Sequence, residues 1–199
     1  MLIAVLANNE QWEELTVNCD EKKLKRITSL QDDDIADAYI ILDEIDITSI
    51  IELKKPVMLN DVINTLTTLK AGQNVVRING WNGFLQRKKW EMAGVVTEEI
   101  KQLFAALDKD LIEVADEPGL VAARTISMII NEAYFALGEE VSTKEEIDIA
   151  MKLGTNYPYG PFEWANKIGV KNIYELLKRL YENSSRYIPA PLLEKEVTE

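Results

Sequence analysis

Short apolar runs fill the first 117 residues and constrain the fold more than any other feature of the sequence. Five of them have the length of buried strands, at positions 2–7, 38–42, 57–60, 75–78 and 111–114. Stretches with helical character separate some of these runs, at 45–53, 62–69 and 96–107. Continuous apolar runs that alternate with helices predict a mainly parallel sheet with both faces covered.

The remaining residues show helical periodicity instead. Apolar side chains recur at helical spacing in the first stretch, at Ile126, Ile129, Ile130, Ala133 and Leu137. Thr143 and Glu146 predict a capping box, and Pro161 predicts the first residue of a further helix. The sequence therefore predicts an α/β plus α protein. Residues 1–117 form a reduced Rossmann-like domain with a mainly parallel sheet, and residues 118–199 form an all-helical domain.

Composition argues against several classes of partner and site. The net charge of −12 disfavours binding to nucleic acid or to anionic membranes. The single cysteine, Cys19, excludes an internal disulfide and a cysteine-rich zinc site, and we expect no metal. The acidic run at 32–34 is typical of a solvated loop or a helix start. No run approaches the ~20 apolar residues of a membrane span, so we expect a cytoplasmic protein.

The helical half carries several connected motifs, which are PGLVAAR at 118–124, NEA at 131–133, EID at 146–148 and GTNYPYGPF at 154–162. This string resembles the C-terminal helical domain of the 3-hydroxyacyl-CoA dehydrogenases. Those enzymes of fatty-acyl-CoA metabolism oxidise a 3-hydroxyacyl-CoA with NAD, and a histidine paired with a glutamate takes the hydroxyl proton. A reduced Rossmann-like domain before this helical domain resembles the second half of double-length family members.

The chain has no histidine with which to perform that step. By the resemblance, Asn79 stands where the family has its catalytic histidine, and Glu91 stands where it has the glutamate. An asparagine side chain cannot take a proton near neutral pH. Glu91 is therefore either a remaining catalytic candidate or a surface residue paired with the adjacent basic triplet, Arg87, Lys88 and Lys89. That triplet is either solvated charge or a contact for the phosphates of a CoA-like ligand.

Three further residues are candidates for substrate binding. Asn82 matches a family asparagine, and Arg124 matches the arginine of the family's Pro-Gly-Phe-x-x-Asn-Arg turn, whose asparagine is replaced here by Ala123. Trp81 lies between two Asn-Gly steps, which favour tight turns. Its ring either lines a cleft or fills the space between the domains.

The family's phosphate-binding glycines, Gly-x-Gly-x-x-Gly, are missing after the first predicted strand. Ala7, Asn9 and Trp12 occupy the three positions, and Glu10 adds negative charge where a diphosphate would lie. We therefore expect no bound cofactor; NAD would bind only if the chain were an active dehydrogenase.

Three functions remain open at this point. The first is a degenerate family member that retains an acyl-CoA-sized cleft, and the second is an active NAD-dependent 3-hydroxyacyl-CoA dehydrogenase. The third is a scaffold or regulatory subunit that pairs with a full-length family enzyme. A homodimer through the helical domain is also expected, because the resemblance implies it and the apolar stripes exceed what a thin helical layer would bury. Those stripes include Leu176, Leu177, Leu180 and the pair at 192–193.

Overall fold

The computed structural model describes residues 1–30 and 35–199, so the acidic run at 32–34 lies outside the described residues. The chain divides into two compact units, Met1–Leu120 and Val121–Glu199. In the described ranges, no helix is long and apolar enough to cross a membrane.

One sheet organises the first unit. Its seven strands in the described residues are β1 (Ile3–Leu6), β2 (Leu24–Ile27), β3 (Ala38–Ile41), β4 (Val57–Leu59), β5 (Val75–Ile78), β6 (Lys89–Ala93) and β7 (Asp110–Glu113). Their order is β2-β1-β3-β4-β5-β6-β7. Neighbouring strands are parallel except β5 and β6, which are antiparallel. The predicted mainly parallel sheet is confirmed.

Both faces of this sheet are buried. Along β3, Ala38 and Ile40 belong to one apolar cluster, whereas Tyr39 and Ile41 belong to the other. Four helices are described in this unit: α1 (Asn9–Thr16), α2 (Thr48–Ile51), α3 (Leu66–Leu69) and α4 (Glu98–Ala106). The helical stretches predicted at 45–53 and 62–69 are therefore too long, since α2 and α3 are single turns.

Five helices form the second unit, α5 (Ala122–Gly138), α6 (Lys144–Thr155), α7 (Pro161–Ile168), α8 (Val170–Tyr181) and α9 (Pro191–Thr198). The capping box of Thr143 and Glu146 and the position of Pro161 are as predicted. Helices α5, α7, α8 and α9 pack on one another.

Most of the apolar residues from which a surplus of apolar surface was expected are buried within the helical unit itself. Ile126, Leu176, Leu177, Leu180 and Leu193 are at most 8% exposed in the single chain. They therefore give no support to a dimer interface, and any such interface must use other residues.

Candidate functional site

The register of β5 and β6 brings Asn79 and Glu91 to facing positions. Arg77 pairs with Ala93 and Ile78 pairs with Met92. Continued by one residue, the same antiparallel register sets Asn79 opposite Glu91. Side chains at facing positions of an antiparallel pair project from the same face of the sheet. Two candidates that lie 12 positions apart in the sequence are thus neighbours across two strands.

Asn79 holds one polar atom with no partner. Its side chain is 7% exposed, and its Oδ1 accepts a hydrogen bond from the Trp81 amide at 3.3 Å. Its Nδ2 is buried and makes no hydrogen bond to any residue that the structure describes. Leaving a buried donor unsatisfied costs about 1–3 kcal/mol. Asn79 therefore holds a buried N–H donor that an oxygen acceptor would satisfy.

The turn that follows Asn79 is fixed from two directions. The Gly80 amide donates to Asn60 Oδ1 at 2.9 Å, and the Gly83 amide donates to both carboxylate oxygens of Glu14 at 2.8 and 2.7 Å. A Cβ at position 80 would lie 2.9 Å from the Asn60 side chain, so this approach requires glycine. Trp81 in this turn is 7% exposed.

The residues of the basic triplet have different surroundings. Lys88 forms an exposed ion pair with Asp108 at 2.6 Å. The Arg87 guanidinium lies 4.2 Å from the centre of the Phe84 ring. Burial lowers the pKa of Arg87, and the negative charge of Glu91 opposes that shift. Glu91 is half-buried, as is Asn82, and Lys89 begins β6 in an exposed position.

The start of α1 corresponds in sequence to the phosphate-binding loop of the family. Asn8 caps the helix by accepting from the Gln11 amide, while Gln11 Oε1 accepts from the Asn8 amide. Gln11 Nε2 also donates to the Leu42 carbonyl. Arg26 donates to the Ala7 carbonyl and lies 5.8 Å from the centre of the Trp12 ring. Side chains thus occupy this helix start, and it does not fit the diphosphate of a dinucleotide.

A buried ion pair beside the site was missed by the sequence argument. Arg77 is fully buried, and its Nη1 lies 2.5 Å from Asp116 Oδ1. Its Nε donates to the Asp61 carbonyl at 2.7 Å, and Asp116 Oδ2 accepts from the Leu66 amide. The available signal was a lone arginine within the apolar run at 75–78. No group of three or more potential metal ligands occurs in residues 1–30 and 35–199.

Arg124 lies in the second unit, on the outer side of α5. It borders a groove of about 570 Å³ between this helix and the 3-10 turn Ser185–Tyr187. Asn131 holds the segment after that turn against α5. Its Nδ2 donates to the Ile188 carbonyl, and its Oδ1 accepts from the Ala190 amide.

The comparisons with known proteins agree with this division into two units. The family model of the 3-hydroxyacyl-CoA dehydrogenase C-terminal domain matches residues 119–199. The 3-hydroxyadipyl-CoA dehydrogenase of Escherichia coli is 45% identical over 87 residues, which are 43% of this chain and 18% of that protein. A 3-hydroxybutyryl-CoA dehydrogenase of Bradyrhizobium diazoefficiens is 39% identical over 102 residues, 50% of this chain and 35% of that protein.

Solved structures extend the similarity of fold to the whole chain. The (S)-3-hydroxybutyryl-CoA dehydrogenase of Ralstonia eutropha aligns with a TM-score of 0.71 and 22% identity, covering 98% of this chain and 93% of that one. The Escherichia coli 3-hydroxybutyryl-CoA dehydrogenase aligns with a TM-score of 0.75 and 17% identity, covering 99% and 56%. The sequence matches span about a third or less of the two curated relatives. Residues 119–199 thus form a unit that matches the C-terminal domain of the 3-hydroxyacyl-CoA dehydrogenases.

Proposed function

We propose that this chain binds an acyl-CoA thioester at the end of β5 and does not oxidise it with NAD. The single observation that carries the proposal is the buried Nδ2 of Asn79, which has no partner in the described residues. Glu91 comes opposite Asn79 when the β5–β6 register is continued by one residue. An amide N–H donates to a thioester carbonyl oxygen, and a carboxylate accepts from a hydroxyl.

The loss of hydride transfer follows from two independent features. Asn79 stands where the family has its general base, and losing a positioned base typically lowers the rate by about 10²–10⁴-fold. At the start of α1 the Gln11 amide donates to Asn8 Oδ1 and is not available to a diphosphate, and Glu10 repels phosphate. Either change alone impairs an NAD-dependent dehydrogenase, and the two act on different steps.

The names of the matching relatives support an acyl-CoA as the ligand class. The curated proteins that match the chain are named as dehydrogenases of 3-hydroxyadipyl-CoA and 3-hydroxybutyryl-CoA. A thioester carbonyl with an oxygen at the third carbon supplies an acceptor for Asn79 and a further polar group near Glu91. The scaffold alternative needs no such ligand, so direct binding separates the two functions.

Titration calorimetry with acetoacetyl-CoA tests the proposal. Asn79→Ala removes the unpartnered amide, and we expect at least about tenfold weaker binding, the loss of about one hydrogen bond. Asn183→Ala is the matched control, because Asn183 is an exposed asparagine after α8 in the other unit. Equal affinity of the wild type and Asn79→Ala would refute this site. Absence of acetoacetyl-CoA binding by the folded wild type would favour a scaffold.

A further inference from the structure

Strands β6 and β7 bury one face of the sheet and leave the other face open. Trp90 and Met92 of β6 are at most 3% exposed, and Leu111 of β7 packs against the same apolar cluster. Side chains alternate between the two faces along a strand, so Glu91 and Ile112 belong to the opposite face. Glu91 is half-buried there, and Ile112 is 41% exposed. The open face therefore offers an apolar side chain next to a carboxylate.

Asn79, Glu91 and Ile112 form one row across three neighbouring strands. Glu91 and Ile112 are partners in the parallel register of β6 and β7. Asn79 comes opposite Glu91 when the register of β5 and β6 is continued by one residue. Neighbouring strands lie about 4.7–4.9 Å apart, so two strand spacings, or about 10 Å, separate Ile112 from Asn79. Ile112 thus ends the row that starts at the proposed thioester contact.

We propose that Ile112 binds the acyl tail of the ligand and makes the site selective for chains longer than four carbons. This inference rests on the proposed function, which sets the thioester carbonyl at Asn79. An extended hydrocarbon chain advances by about 1.25 Å per carbon, given bonds of about 1.5 Å and angles of about 111°. A tail of about six carbons therefore comes within about 4 Å of Ile112, the contact distance of apolar groups. The shorter acetoacetyl group does not reach it.

The charges beside Ile112 favour an acyl tail over the phosphates of CoA at this position. The next row of the same face holds Lys89 opposite Asp110, and both residues are exposed. Their charges offset each other, and Glu91 adds a carboxylate to the row of Ile112. A multiply charged anion gains little from such a surface, whereas an uncharged hydrocarbon gains from burial against Ile112. The tail therefore points from Asn79 towards Ile112, and the CoA moiety leaves the site in another direction.

Titration calorimetry with acyl-CoA ligands of different length tests this selectivity. Each buried methylene strengthens binding by up to about fourfold, so 3-oxooctanoyl-CoA should bind the wild type at least about tenfold more tightly than acetoacetyl-CoA. Ile112→Thr keeps a β-branched residue in the strand and replaces the ethyl group by a hydroxyl. We expect this variant to reduce the gain with chain length to about threefold or less, and to leave the affinity for acetoacetyl-CoA unchanged.

Ile149→Thr is the matched control, because Ile149 is an isoleucine of α6 in the other unit and is 54% exposed. It should keep the gain of the wild type, and circular dichroism establishes that each variant remains folded. Equal affinity of the wild type for the two ligands would overturn this inference alone, as would a gain that Ile112→Thr leaves intact. A folded wild type that binds neither ligand would overturn the proposed function together with it.

Discussion

The carboxylate of Asp148 occupies the space that a side chain at Gly160 would need. A Cβ built at position 160 would overlap the Asp148 carboxyl group. From that position Asp148 accepts hydrogen bonds from the amides of Phe162 and Glu163, at 2.8 and 3.1 Å, and so caps α7 from α6. The GPF sequence at 160–162 is therefore a structural requirement of the helical unit.

Replacing this glycine should destabilise the protein. We expect Gly160→Ala to lower the free energy of unfolding by about 1–3 kcal/mol, the usual cost of an added methyl group in a packed site. Gly154→Ala is the matched control, because no atom lies within 4 Å of a Cβ built there. That helical glycine should tolerate alanine or gain about 0.5–1 kcal/mol. Equal urea midpoints for the two variants would contradict the assignment.

The buried ion pair of Arg77 should also contribute to stability. Asp116→Ala removes the carboxylate from the fully buried guanidinium, which keeps its hydrogen bond to the Asp61 carbonyl, and we expect a loss of about 1–3 kcal/mol in the free energy of unfolding. Asp108→Asn removes the charge of the exposed pair with Lys88, keeps a residue type that tolerates the positive φ there, and should leave the urea midpoint nearly unchanged. If Asp116→Ala lowers the free energy of unfolding no more than the control does, the ion pair of Arg77 contributes no stability.

Tyr134 predicts a specific loss of stability at alkaline pH. Burial, and then the negative charge of Glu196, raise the pKa of this phenol. The folded state therefore holds the phenol proton of Tyr134 more tightly than the unfolded state, in which tyrosines titrate at about pH 10. Stability from this group is complete below that pH and falls as the pH rises above it. Melting temperatures between pH 8 and 11 should fall more steeply for the wild type than for Tyr134→Phe. Equal slopes of melting temperature against pH for the two proteins would refute the raised pKa of Tyr134.

Restoring a histidine should not restore a dehydrogenase. Asn79→His supplies an imidazole opposite Glu91, but the start of α1 still lacks the glycines and carries Glu10. We expect no NADH from 3-hydroxybutyryl-CoA and NAD in a spectrophotometric assay of this variant. A clear rate that Glu91→Gln then abolishes would mean that the nucleotide site is intact.

The sequence predicted those parts of the fold that a short stretch of residues specifies by itself. Strands β1, β3, β4 and β5 are short apolar runs, and Pro161 marks a helix start. Strands β2 and β6 were missed because charged residues, such as Arg26 and Glu91, interrupt their apolar pattern. Each has a half-exposed face, which an argument from continuous apolar runs does not detect.

The residues of the candidate site could be predicted from sequence, but their contacts could not. Asn79 and Glu91 came from motif positions, and they come to facing positions only when the register of β5 and β6 is continued by one residue. The overlap of Asp148 with position 160 and the ion pair of Arg77 join residues 12 and 39 positions apart. The residues of each contact belong to different segments, so the periodicity of a single helix or strand does not predict these contacts.

The most direct test of the account is a calorimetric titration of the wild type, with acetoacetyl-CoA in one series and NADH in another. We expect saturable heat with acetoacetyl-CoA, because the buried amide of Asn79 lacks a partner in the described residues and suits a carbonyl oxygen. We expect no saturable heat with NADH, because Asn8 and Gln11 cap the start of α1, where the family's glycines are missing. NADH binding in the low micromolar range, together with NADH formation from 3-hydroxybutyryl-CoA, would contradict the account.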